Sequence, residues 1–199
     1  VTHAALNRPA DTTLAILAGG AGSRMGKPKS LLTLGGTPIL VHLLRRLDFP
    51  GPTLLITAPG RERPPGHALF SAEVVDPILD AGPLIGAHAA AAATTTPFLL
   101  ISAVDMPLVT LDGLTALLTA LRTSPAHAAM FQTDTLQPLP LGLRVPESLP
   151  LFTARITQNQ MSLKGVADDP RALVIPAPPS LPESFWTNLN HPEDLRQFR

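Results

Sequence analysis

The chain has 199 residues, 15 basic and 15 acidic side chains, 23 prolines and no cysteine. That length suits one domain able to bury its own core. The zero formal charge argues against a general nucleic-acid binder, which needs a surplus of Lys and Arg, but leaves room for a local basic pocket. The lack of cysteine excludes disulfides, thiolate metal sites and a thiol nucleophile, and fits a reducing compartment.

Val1 to Thr12 is polar, contains proline and lacks an apolar signal core, so residues 1–12 are predicted as a flexible N-terminal tail and residues 13–199 as a single domain. Thr13 to Ala18 is a strand entering a Gly-rich loop. Thr37-Pro38 opens a helix through about Leu47, with Thr37 as cap and proline in the first turn. Thr53 to Thr57 and Glu73 to Val75 are short strands. Leu84 to Ala93 is an Ala-rich helix beginning near Gly82-Pro83. Phe98 to Ala103 is the central strand, and the stripe Leu111, Leu114, Leu117, Leu118, Leu121 predicts an amphipathic helix over Thr110 to Arg122.

Ala128 to Phe131 and Leu139 to Val145 pair as antiparallel strands around Thr133 to Gln137. Leu173 to Ile175 is a further strand, Ala177 to Glu183 a Pro-rich connector, and Pro192 to Phe198 a closing helix. The alternation predicts a three-layer α/β/α, Rossmann-like domain with a mostly parallel sheet. No apolar run nears the roughly 20 residues of a membrane span, which places the chain in the cytoplasm without a membrane or nucleic-acid partner. The six histidines include no close pair at metal-ligand spacing, so no zinc site is expected.

The segment Leu17 to Lys29, LAGGAGSRMGKPK, carries the most chemistry. Such a loop bares backbone N–H groups and adds the cations Arg24, Lys27 and Lys29 beside them, the makings of a polyphosphate cradle. It fails the dinucleotide fingerprint, because Met25 stands where the third glycine belongs and Gly26 is one residue late. It fails the P-loop because Ala21 replaces the first glycine and Pro28 the magnesium-binding Ser or Thr. Cations with oriented N–H groups suit nucleotidyl transfer, where negative charge builds on the α-phosphate and departing pyrophosphate.

This run resembles the N-terminal signature of the MobA-like nucleotidyltransferases, the molybdenum cofactor guanylyltransferases and their relatives. Further segments resemble that family in order. Gly82-Pro83-Leu84-Ile85-Gly86 matches its GPLxG element, and an Asp upstream, Asp76 or Asp80, would contact the nucleotide. Leu99 to Pro107, LLISAVDMP, matches its strand-end D-x-P, whose Asp is a metal ligand in the family. A carboxylate at that strand end also suits Mg²⁺ on physical grounds. Gln137-Pro138-Leu139 lies near its acceptor-side turn, and Asn188-Leu189-Asn190-His191-Pro192-Glu193-Asp194-Leu195 matches its ending, with Asn188 and Asn190 expected on one strand face.

The resemblance implies Lys29, Arg24 and Asp105 as catalytic residues, with Asp105 on Mg²⁺. Leu17, Ala18, Gly19, Gly20, Gly22, Ser23, Lys29, Asp76, Gly82, Pro83 and Leu84 would bind the nucleotide, and Pro138, Asn188 and Asn190 would meet the acceptor or phosphates. The implied reaction is GMP transfer from GTP to molybdopterin cofactor with release of pyrophosphate, with molybdoenzymes or cofactor-insertion proteins as partners. The sequence also leaves alternatives. The spacing Gly26-Lys27-Pro28-Lys29 resembles cytidylyltransferases using CTP, and Thr57 stands near where guanylyltransferases often carry a base-reading Asn. Another phosphorylated small molecule can be the acceptor, and a nucleotide-sensing module is the non-enzyme reading.

Overall fold

The computed structural model describes residues 11–20, 25–76 and 82–198. Nine strands are present among them: β1 Thr12–Leu17, β2 Thr33–Leu34, β3 Thr37–Pro38, β4 Thr53–Thr57, β5 Ala72–Val75, β6 Phe98–Ala103, β7 Ala128–Gln132, β8 Leu136–Arg144 and β9 Ala172–Pro176. Seven form one sheet in the order β5-β4-β1-β6-β8-β7-β9. The pairs β5–β4, β4–β1, β1–β6 and β7–β9 are parallel, while β8 runs antiparallel to both β6 and β7.

Four helices cover the sheet: α1 Ile39–Leu47, α2 Pro83–Ala93, α3 Leu111–Arg122 and α4 Val145–Thr157. Strand alternation divides the core into two layers. Leu14, Ile16, Leu55 and Leu100 meet Leu40 and Leu43 of α1 and Leu114, Leu117 and Leu121 of α3. The intervening Ala15, Leu54, Ile56, Leu99 and Ile101 meet α2 and Phe152 of α4 on the opposite face. β1, buried on both faces, accordingly reads as a continuous TTLAIL run rather than an alternating one. α2 is apolar nearly all round because it lies between the sheet and α4, with Leu84, Ala87, Ala90 and Ala91 buried.

The fold is thus the expected three-layer α/β/α arrangement, with local corrections. β1 begins at Thr12, which is fully buried, so Thr12, assigned to the tail, belongs to the sheet. Thr37-Pro38 does not open α1. It pairs with Thr33-Leu34 across Gly35 and Gly36, whose φ angles of 53° and 79° suit the tight hairpin turn. α1 therefore starts at Ile39 with Pro38 at its cap position and no side-chain cap. Thr110 does cap α3, accepting from the Gly113 N–H at 3.4 Å. Residues 187–190 form no strand, and Pro192–Phe198 is a run of 3-10 turns rather than an α-helix. The C-terminal segment is instead held by Phe185 and Trp186, whose rings pack edge-on against each other and against Phe131.

Candidate active site

β1, β4, β5 and β6 run parallel, so their carboxyl ends share one edge of the sheet. The chain leaves β1 through α1 to β4 on one side and returns through α2 to β6 on the other. Between β1 and β6 the strand order reverses, which opens the crevice where such sheets bind ligands. Two sequence-predicted segments start there, the Gly loop after β1 and the Asp105 turn after β6. β8 is antiparallel to β6, with Leu141 opposite Ile101, so its amino-terminal part, carrying Pro138, lies toward the same edge. α2 runs back from this edge and presents its amino end there, with Gly82 at φ 90°, Pro83 in the first turn and no side-chain cap.

The loop leaves β1 with the Ala18 N–H bonded to Ile56 O at 2.8 Å. A Cβ on Gly19 would stand 3.4 Å from the Ala58 Cβ, whereas one on Gly20 would meet nothing within 4 Å among the described residues. Gly20 is exposed, so its missing side chain leaves open space at the mouth of the crevice. Leu17 is half-buried, and its Cδ2 lies 3.3 Å from where a Gly86 Cβ would be. The Asp76 Oδ2 lies 3.6 Å from the same point, so Asp76 stands beside the first turn of α2. Leu84 is fully buried in the core, which leaves only its backbone for a ligand. Gly22, Ser23, Arg24 and Asp80 lie outside the described residues.

Lys29 begins a 3-10 turn anchored by buried Ser30 and by Leu32, which is 1% exposed. Its Nζ donates to Asp105 Oδ2 at 2.6 Å and to Asn190 Oδ1 at 2.9 Å. The Lys29 and Asp105 side chains keep 16% and 21% exposure, so the pair is sheltered yet open to the crevice. Asp105 stays at the strand end because the Val104 N–H continues the ladder to Leu17 O and Met106 N–H turns back to Ala103 O. The three groups come from segments far apart in sequence and meet at one point.

Asn190 is fixed from both sides. The Leu189 N–H donates to Asp105 O at 2.8 Å, and the Leu189 side chain is fully buried. The Asn190 and His191 N–H groups both donate to Asp194 Oδ2, at 2.7 and 2.8 Å. Those two bonds, His191 first, hold the Asp194 carboxyl below its ordinary range. Asn188 does not join them: it is exposed, and its amide donates to Trp186 O at 3.0 Å. The expected strand alternation of Asn188 and Asn190 is absent because this segment is not a strand.

Asp194 carries a role that sequence reasoning did not assign. The available signal was an acid three residues after His191 in front of a turn, the spacing by which a side chain reaches back to a cap-position N–H. Thr57 is committed within the protein: its hydroxyl donates to Glu73 Oε1 at 3.0 Å, and Arg63 Nε lies 3.1 Å from Glu73 Oε2. Arg155 donates to Gly165 O at 2.7 Å and so pins a turn.

The donor set fits a hard divalent cation. Asp105 Oδ2 and Asn190 Oδ1 converge on one point, now taken by the Lys29 ammonium. Asp105 Oδ1 makes no hydrogen bond among the described residues. No cluster of three or more His, Asp or Glu side chains occurs among the described residues. Mg²⁺ characteristically needs only one or two protein carboxylates when phosphates and water complete its shell. No helix among the described residues is long and apolar enough to cross a membrane.

A family model described as the MobA-like NTP transferase domain matches residues 14–167. The chain is 29% identical over 193 residues to the molybdenum cofactor guanylyltransferase of Vibrio cholerae, covering 96% of this chain and 93% of that one. It is 30% identical over 187 residues to a probable molybdenum cofactor guanylyltransferase of Deinococcus radiodurans, covering 94% and 93%. Among solved structures, molybdopterin-guanine dinucleotide biosynthesis protein A from Archaeoglobus fulgidus superposes with a TM-score of 0.76 at 22% identity, over 93% of this chain and 95% of that one.

Proposed function

This chain belongs to the MobA-like NTP transferase family, a nucleotidyltransferase, and from that premise we propose that it transfers GMP from GTP to the terminal phosphate of molybdopterin cofactor, releasing pyrophosphate. The observation that carries the reading is the meeting of Lys29, Asp105 and Asn190 at the sheet's switch point, beside the open Gly20 and the amino end of α2. The nature of donor and acceptor follows the curated relatives, which are molybdenum cofactor guanylyltransferases.

In this mechanism Gly19 and Gly20, with Gly22, supply backbone N–H groups to the triphosphate, while the Ala18 N–H stays in the sheet ladder and Ser23 lies beside them. Lys29, with Arg24, neutralises charge as it develops on the α-phosphate and the leaving pyrophosphate. Asp105 and Asn190 would hold Mg²⁺, which when bound supplies Lewis-acid stabilisation to the phosphate oxygens. Asp76, Gly82, Pro83 and the Leu84 backbone flank the nucleoside. Pro138 lies on the acceptor side, and Asn188, at the rim, meets the acceptor only as it arrives. The acceptor phosphate attacks the α-phosphorus in line, so no nucleophilic side chain is required, and catalysis is positioning plus electrostatics.

The second reading is cytidylyl transfer from CTP, carried by the Gly26-Lys27-Pro28-Lys29 spacing and by the engagement of Thr57 with Glu73. A binding series with GTP, CTP and ATP in Mg²⁺, followed by pyrophosphate release with and without acceptor, separates them. GTP should bind tightest, with release dependent on acceptor. Preference for CTP would replace the guanylyl assignment, and release with neither nucleotide would remove it.

A further inference from the structure

We propose that Asp194 is a positioning residue for this site: by accepting the Asn190 and His191 N–H groups it holds the Asn190 amide oxygen against the Lys29 ammonium. The inference rests on the reading that Lys29 and Asn190 serve the transfer. Its geometric part stands independently.

The segment that delivers Asn190 has no sheet ladder to fix it. Its backbone is tied on the near side by Leu189, buried and bonded to Asp105 O. On the far side Asp194 Oδ2 takes two N–H groups at 2.7 and 2.8 Å. These are charge-assisted bonds at the start of a turn, where N–H groups lack intrahelical partners. Between the anchors, the Asn190 side chain turns out of the core and reaches Lys29 at 2.9 Å. Asp194 makes no hydrogen bond to Lys29 or Asp105 among the described residues; its charge also acts on Lys29 through space, but its hydrogen-bonded path to Lys29 runs through Asn190. Without the far anchor the Asn190 backbone keeps its place only through Leu189, and its amide oxygen is free to leave Lys29. The ammonium then retains Asp105 alone.

The test is a double-mutant cycle read on Lys29 itself. Trace labelling with acetic anhydride, quantified by mass spectrometry, reports the availability of the Lys29 amine in wild type, Asp194→Ala, Asn190→Ala and the double variant. Each single substitution should raise Lys29 labelling by about threefold, since each removes one modest hydrogen-bonded restraint, and the double variant should match the singles. Wild-type labelling in Asp194→Ala, or singles that multiply in the double variant, would overturn the proposal. Asp194→Asn, which keeps shape but loses charge, serves if the alanine variant does not fold.

Turnover supplies a second cycle. Asp194→Ala should lower kcat by about tenfold with the KM for GTP within about twofold, because the lost contact acts on charge in the transition state. In the Asn190→Ala background the same change should add nothing, whereas an additive loss would mean Asp194 acts by another route. The labelling needs no substrate. A wild-type protein that transfers no guanylyl group would therefore defeat the functional reading and leave the labelling cycle to decide the positioning role.

Discussion

Replacing Lys29 by alanine separates chemistry from folding. The ammonium bonds Asp105 and Asn190 at 2.6 and 2.9 Å, with 16% and 21% exposure for the charged pair. Exposed ion pairs contribute about 0–1 kcal/mol, while breaking a fully buried one costs about 3–5 kcal/mol. A pair this sheltered but still wet falls between them, near 1–2 kcal/mol once screening is counted. For a chain of this size that lowers Tm by roughly 2–8 °C. The loss of one preorganised charge-stabilising group in the transition state costs about 2.7–4 kcal/mol, or a factor of 10²–10³ in kcat.

Lys29→Ala should therefore melt within a few degrees of wild type while pyrophosphate release falls at least about 100-fold. Lys29→Arg keeps the charge but presents a planar fork to two oxygens arranged around a point charge, so it should recover little. Thermal melting and a coupled pyrophosphate assay, with GTP, Mg²⁺ and acceptor saturating, measure the two quantities side by side. Turnover within tenfold of wild type would refute the role of Lys29. A Tm loss far beyond 8 °C would show that the pair is chiefly structural, contrary to the exposure argument.

Further outcomes follow from other contacts. Gly20→Ala should leave Tm unchanged, since a Cβ at Gly20 meets nothing within 4 Å among the described residues, yet weaken GTP binding by about tenfold, ~1.4 kcal/mol; equal affinity by calorimetry would clear Gly20 of contact with the donor. Gly113→Ala should do the reverse, because its Cβ would fall 2.3 Å from Phe185 Cε2; overpacking of about 1–3 kcal/mol should appear as a lower Tm in every buffer. Asp105→Asn should weaken the magnesium dependence of turnover, and an unchanged magnesium titration would count against a ligand role. Asp194 sits below its usual carboxyl value of 3.8 because the His191 and Asn190 N–H groups favour the anion. Its stabilisation is complete above that value and disappears as pH falls through the lower folded-state value. The stability gap between wild type and Asp194→Ala should thus be constant near neutrality and close in acid. A gap that stays open at pH well below 3.8 would contradict the carboxylate's part.

The elements of the central sheet were legible because burial leaves a pattern. β1 and β6 are continuous apolar runs, and the leucine stripe of α3 has helical spacing. α4 was not legible, since Pro146 and Pro150 interrupt its sequence, yet Pro146 occupies the first turn and Phe152 packs on the core. The hairpin of Thr33–Pro38 was hidden because Thr-Pro before an apolar run reads as a helix start. At the site, Lys29, Asp105 and Asn190 were singled out one by one, and of the three only Asp105 could be placed, at its strand end; the contact of Lys29 with Asn190 spans 161 positions and leaves no local pattern. The division between Asn188 and Asn190 was not, because it depends on a C-terminal segment shaped by Phe185 packing and by Asp194 rather than by any strand period.

Lys29 and Asn190 are 161 positions apart, and a ribosome builds the chain in one direction. At about 5–20 residues per second, roughly 8–32 s pass between synthesis of the lysine and of its amide partner. During that interval the sheet's parallel half, already complete at β6, can collapse around its two apolar layers while the charged pair still lacks its third member. The order of synthesis thus lets the parallel half of the sheet form before the site can gain its third member.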